Sequence, residues 1–145
     1  MSTQFDTLKL LIKQYEIPRT DIFLMRLGGK DIPIITRTGI EKIQAKDQMT
    51  ITYKLENVSP DHKYVIIKAI AMKGNVFIES YGEANPANCK QSYPIAIAEK
   101  RAKARVVLMM SGFYREGLYS EDEFEPEVIR QNRLTNNNVE QHENI

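Results

Sequence analysis

Residues 64–81 read Tyr64-Val-Ile-Ile-Lys-Ala-Ile-Ala-Met-Lys-Gly-Asn-Val-Phe-Ile-Glu-Ser-Tyr81, two apolar runs hinged on Lys73-Gly74-Asn75. Runs of this length, rich in β-branched and aromatic residues and divided by a Gly-Asn pair, predict two antiparallel strands. With Gly74-Asn75 as a two-residue loop, Met72 faces Phe77, Ile70 faces Glu79 and Lys68 faces Tyr81. The other face then carries Ile67, Ala69, Ala71, Val76, Ile78 and Ser80, and its small alanines let a helix approach closely. A three-residue loop changes this pairing.

Upstream, Met49, Ile51, Tyr53 and Leu55 alternate with Thr50, Thr52, Lys54 and Glu56, the period of a half-buried strand. Ser59-Pro60-Asp61 supplies the turn, so the three strands form an antiparallel meander. Before it, Thr38 and Glu41 fit a capping box that opens a short helix with Ile40, Ile43 and Ala45 inward and Lys42 and Lys46 outward. Earlier still, Ile22–Leu27 and Ile32–Ile35 flank Gly28-Gly29-Lys30-Asp31, a hairpin signature in which Pro33 predicts an edge strand. Phe5, Leu8, Leu11, Ile12 and Tyr15 recur at helical spacing and predict an amphipathic helix that ends before Pro18.

Downstream comes the longest element. Ser92 fits its N-cap, or Tyr93 with Pro94 at the first helical position, and the pattern runs to Ser111 before Gly112 stops it. The fold class is therefore α+β: a hairpin and short helix, then a three-stranded antiparallel meander packed by a long C-terminal helix. On a wheel of 100° per residue, Ile95, Ala98, Ala102, Val106, Met109 and Phe113 fall within about 80° and predict the sheet-facing stripe. Lys100, Arg101, Lys103 and Arg105 are expected on the outer arc, with Ala96 and Ala104 leaving that surface open to a phosphate backbone. An ordinary solvated face is the competing explanation. Val107, Leu108 and Met110 extend the apolar surface around the helix, which calls for cover from the N-terminal helix or a neighbouring subunit.

Composition bounds the rest. Apolar content of 42% and charged content of 27% lie near globular averages, which excludes wholesale disorder. The net charge of +1 conceals an asymmetry: 18 Lys and Arg against 12 Asp and Glu in residues 1–119, and two against seven in 120–145. A basic body with an acidic tail favours polyanion or partner binding. The expected division is a domain over 1–119 and a flexible acidic, polar tail over 120–145. That tail is positioned to compete for a basic groove or to dock a replication partner. No apolar run reaches the length of a bilayer span, no secretory-signal layout opens the chain, and Cys89 stands alone, which together predict a cytoplasmic protein.

Chemistry-bearing clusters are sparse. His62 and His142 are far apart, and no nucleophile or metal-ligand spacing accompanies Cys89, so neither an enzyme nor a metal or other cofactor is expected. The acids Glu121, Asp122, Glu123 and Glu125 would suit a divalent ion, as in a nuclease, but consecutive acids in a tail more often stay solvated. Tyr53, Tyr64, Tyr81 and Tyr93 lie on or beside the sheet, where bases stack, although burial in the core is the commoner fate of a tyrosine.

The stretch from Ala84 through Tyr93-Pro94, Ala98-Glu99-Lys100-Arg101-Ala102 and Arg105 to Gly112 and Tyr119-Ser-Glu-Asp122 resembles phage single-strand annealing proteins, the Sak-type members of the Rad-fifty-two superfamily. The resemblance covers residues 20–123, is concentrated in 93–122, and leaves the first 20 residues unmatched. It implies a β-β-α-β-β-β-α core, homo-oligomeric rings or filaments, and ATP-independent binding of single-stranded DNA with annealing of complementary strands in recombination and repair. By matched position it implies Lys100, Arg101 and Arg105 as DNA contacts; Lys103 follows from the wheel alone. Arg37, Lys42 and Lys68 are further candidates for an outer DNA site. RNA remains open as the ligand. An accessory protein-interaction module of a phage or mobile-element recombination operon, with the same fold and no annealing activity, is the alternative.

Overall fold

The computed structural model describes residues 5–134. Helix α1 (Asp6–Gln14) is followed by strands β1 (Ile22–Leu27) and β2 (Lys30–Ile35), helix α2 (Arg37–Asp47), strands β3 (Thr50–Val58), β4 (Val65–Lys73) and β5 (Val76–Ala84), and helix α3 (Pro94–Ser111). A two-residue strand β6 (Tyr119–Ser120) and helix α4 (Pro126–Asn132) complete the described chain. The class is α+β with two sheets, ordered β1-β2-β6 and β3-β4-β5, and the long helix packs on the strands.

Local sequence accounts for most of these elements. Gly28 and Gly29 both take positive φ (57° and 78°), which lets a two-residue loop join Leu27 to Lys30. Gly74-Asn75 is likewise a two-residue loop, and the register Met72↔Phe77, Ile70↔Glu79 and Lys68↔Tyr81 is as expected. Helix α2 starts one residue before the expected cap. The Thr36 hydroxyl, not that of Thr38, accepts from the Gly39 N–H at 3.2 Å and itself donates to Asp21. Helix α3 opens with Tyr93 as N-cap and Pro94 at the first position, and closes on Gly112 at φ 90°.

Strand β2 is not an edge strand. It pairs with β1 on one side and, through Ile34 and Ile35, in parallel with β6 on the other. Pro33 lies just before that two-residue ladder, so its missing N–H falls outside the β6 register.

Helix α3 lies over β4 and β5, where Ile67, Ala69 and Ala71 are buried against it. Gly82 on β5 lets the backbones meet, because an added Cβ would come within 3.0 Å of Ala102 Cα and closer still to the Ala98 carbonyl. The helix does not reach across β3. Tyr53 and Leu55, expected to be half-buried, therefore stand open on the same face of the sheet. The C-terminal half of α3 is covered by the N-terminal segment: Phe5, Leu8, Tyr15 and Ile17 join Val107, Leu108 and Phe113 in one core. Tyr15 anchors that contact twice, against the Phe113 ring at 5.2 Å and by donating its hydroxyl to Asp47 at 2.6 Å.

Residues 120–134 are not a detached tail. Ser120 is buried in β6, Phe124 and Ile129 pack on Phe23, Met25 and Ile34, and the Leu134 N–H donates to the Leu24 carbonyl. The rest of the expected tail, 135–145, lies outside the described residues.

Candidate nucleic-acid interface

Helix α3 divides its four cations two and two. Ile97, Arg101, Ala104 and Leu108 succeed one another at helical spacing on one face, and all four are buried. Ala98, Ala102 and Val106 of the expected stripe do face the sheet, but the buried arc is wider than that stripe: Ile95 and Met109, near the helix ends, are exposed, and Arg101 points inward. The cause is the returning segment 120–123, which lies along this side of the helix.

Arg101 is only 2% exposed. Its Nε donates to the Asp122 carbonyl at 2.6 Å, one terminal nitrogen donates to the Glu83 carbonyl and the Asn88 side chain, and the other donates to the Asn88 carbonyl. Asn88 is preset by the loop Asn85–Asn88, whose two asparagine side chains each accept a backbone N–H. The five donors of a guanidinium suit such a cage of fixed carbonyls.

Arg105 is placed between two carboxylates. It meets both oxygens of Glu123 at 2.6 Å and both of Glu83 at 2.9–3.0 Å, and it also donates to the Tyr81 carbonyl. Its acidity is suppressed further, first by the Glu123 hydrogen bonds and then by those of Glu83, against the opposing effect of burial. In return, Arg105 holds the Glu83 carboxyl below the usual carboxylate range. The acids expected to stay solvated or to hold a metal are thus engaged: Glu121 accepts from the Arg37 N–H, Asp122 from the Arg37 side chain, and Glu125 from the Lys90 N–H. No group of three or more His, Cys, Asp or Glu among the described residues is placed to hold a metal ion.

Arg101 and Arg105 also cover the outer border of β5, because Tyr81 and Glu83 present the carbonyls that a neighbouring strand would otherwise meet. Neither side chain is on an open face, which corrects the expectation of four outward cations. The signal was present in the spacing, since Arg101 shares its face with Ile97, Ala104 and Leu108.

Lys100 and Lys103 are half-buried rather than caged, three residues apart with Ala96 a turn away. Lys100 has no hydrogen-bond or ion-pair partner among the described residues. Lys103 pairs with the exposed Glu41 of α2, across the seam where α2 and α3 pack. One turn back along α2, Arg37 lies within the field of Tyr93, and its side chain is 53% exposed while bound to Asp122. At the other end of the seam Tyr53 is 40% exposed; burial, then the fields of Glu99 and Glu41, push its phenol up to about 12. The seam therefore carries Arg37, Lys100 and Lys103 between two open tyrosines, with Glu41 and Glu99 as intervening acids.

The remaining outer candidates are not gathered there. Lys42 binds Asp21 at 2.7 Å. Lys68 projects from the face of the meander away from α3, paired with Glu79 and Glu56 and set over the Tyr81 ring at 6.0 Å. That far face also exposes Ile66, Met72, Phe77 and Tyr81, beside the polar Thr50, Thr52 and Lys54 of β3. All four tyrosines singled out for stacking (Tyr53, Tyr64, Tyr81, Tyr93) are exposed rather than buried. No described helix is long and apolar enough to cross a membrane.

No protein-family model matches the chain, and neither a curated protein nor a solved structure shows significant similarity to it.

Proposed function

We propose that this protein binds single-stranded DNA along the α2–α3 seam and promotes annealing of complementary strands without ATP, as a homo-oligomer. The observation that carries the reading is the grouping of the unpartnered, half-buried Lys100, the ion-paired Lys103 and the exposed, ion-paired Arg37 with two exposed tyrosines (Tyr93, Tyr53) along one seam. Lysines neutralise phosphates, and open aromatic faces accept bases without regard to sequence, which is the combination that non-specific single-strand binding needs. The resemblance of residues 93–122 to phage annealing proteins narrows the polyanion to DNA and adds the annealing step. Covalent chemistry has no part in that step: the seam extends one strand and leaves base edges free for a second. Repetition of the seam around an oligomer multiplies weak contacts along the strand.

Anisotropy titration with a labelled single-stranded oligonucleotide tests the proposal. Binding should weaken with salt at a slope near −0.7 per phosphate neutralised. Binding that ignores salt, or that survives unchanged in a Lys100→Ala/Lys103→Ala variant, defeats it.

A second reading, a protein-interaction module, draws on the far face of the meander, where Ile66, Met72, Phe77 and Tyr81 are open to solvent. A mass well above 16.7 kDa by light scattering, without any oligonucleotide affinity, is the outcome that favours it.

A further inference from the structure

Beside the seam lies a hollow of about 170 Å³. Ile97, Phe124 and Ile129 give it an apolar lining, and Tyr93, Arg37, Gln91 and Glu121 contribute the ring and polar groups around it. It is several times larger than the roughly 30 Å³ share of one water, yet below the roughly 300–1,000 Å³ of sites for drug-sized ligands. One ring system suits that size better than a whole nucleotide.

The chemistry of the lining narrows the ligand further. Tyr93 is 53% exposed and has no ring partner among the described residues, so a face of its ring is available for stacking. Gln91 offers both a donor and an acceptor, and Glu121 offers carboxylate acceptors, one of which already takes the Arg37 N–H at 2.7 Å. Apolar walls, one aromatic face and a few convergent hydrogen-bonding groups are what sites for unstacked bases use. Arg37 is at the same place with a half-exposed guanidinium, and the seam lysines follow along α3.

We infer that this hollow takes one unstacked nucleobase of the bound strand, with Tyr93 stacking on it and Arg37 meeting the adjoining phosphate. The inference rests on the single-strand reading of the seam. It adds that the strand is gripped by a base as well as by its backbone. One base per copy is withdrawn from pairing while its neighbours remain presented.

The test titrates the full chain with an oligothymidylate and with a sugar-phosphate strand of equal length that lacks bases. The intact protein should prefer the base-bearing strand by about 5- to 150-fold, equivalent to the roughly 1–3 kcal/mol of one stacked base. Ile129→Trp, which fills the hollow, and Tyr93→Leu, which removes the ring from an exposed position, should each weaken only the base-bearing complex, by at least about 5-fold. Both variants are checked for an unchanged melting temperature; if Ile129→Trp melts early, Tyr93→Leu decides alone. An unaltered preference in the folded variants overturns the hollow as a base site while leaving the seam in place. Failure of the intact protein to bind either strand overturns the single-strand reading and this inference together.

Discussion

Arg101 Nε donates to the backbone carbonyl of Asp122 at 2.6 Å, which ties the middle of α3 to the segment that returns after the helix has ended. The bond is between a buried charge and a neutral oxygen, and three further oxygens from Glu83 and Asn88 complete the cage. Arg101→Ala removes the guanidinium from all four acceptors, of which the Asn88 side-chain oxygen keeps the Asn85 N–H. Expected is a loss on the order of 3–5 kcal/mol, measured by urea denaturation. Arg101→Lys should recover only part of it, because an ammonium cannot address the same oxygens from one plane. A variant as stable as the parent would mean that water replaces the guanidinium at no cost.

Ending the chain after Tyr119 should destabilise it, since that removes Asp122 and Glu123 from Arg37 and Arg105 and uncovers Phe23, Met25 and Ile34. The readout is the melting temperature, with a fall of several degrees for each kcal/mol lost from a domain of this size. An unchanged melting temperature would mean that the docked segment adds nothing to folding.

The Arg105 network makes stability sensitive to acid. The Glu83 carboxyl has a folded-state value below its ordinary one, chiefly through its hydrogen bond to Arg105. Its contribution is complete above the unfolded value near 4.3 and is lost as pH falls through the folded value. The melting temperature should therefore decline on acidification below about pH 4, and Glu83→Gln should flatten that decline while lowering the plateau at neutral pH. Parallel pH profiles for the two proteins would show that the pair is not coupled to folding.

On the seam, Lys100→Ala and Lys103→Ala should leave folding untouched and each reduce the salt slope of oligonucleotide binding by about 0.7. Lys103 is expected to contribute less at low salt, because it must first leave Glu41. Glu41→Gln frees it and should tighten binding; a Glu41→Gln variant that binds more weakly would put the strand elsewhere.

Gly82→Ala is expected to cost about 1–3 kcal/mol or more, as the new methyl meets the backbone of α3 at Ala98 and Ala102. Thermal denaturation settles it, and a neutral result would require the helix to have shifted off β5.

Much of this architecture is legible in the residues themselves. The register from Met72–Phe77 to Lys68–Tyr81 follows from one Gly-Asn loop, because a two-residue turn permits a single alignment. The ends of α3 follow from Pro94 and Gly112. The orientation of its charges does not follow from charge. Arg101 looks like its neighbour Lys100 until Ile97, Ala104 and Leu108 are seen to share its face. Glu121 and Asp122 look like part of a solvated tail because the Arg37 groups they meet lie 84 and 85 residues earlier, a distance over which local patterning is silent. Tyr53 and Leu55 have the alternation of a covered strand, and only the lateral reach of α3 decides that they are open.

The guanidinium groups over the Tyr81 and Glu83 carbonyls have a consequence for the fate of the chain in a crowded solution. A bare strand border recruits other strands, so until α3 docks, β5 is a template for aggregation. Docking closes that border while β3, with no strand on its outer side among the described residues, remains available. The meander then has one sealed margin and one adhesive margin, and damage to Arg101 or Arg105 should appear as insolubility during synthesis before it appears as a lowered melting point.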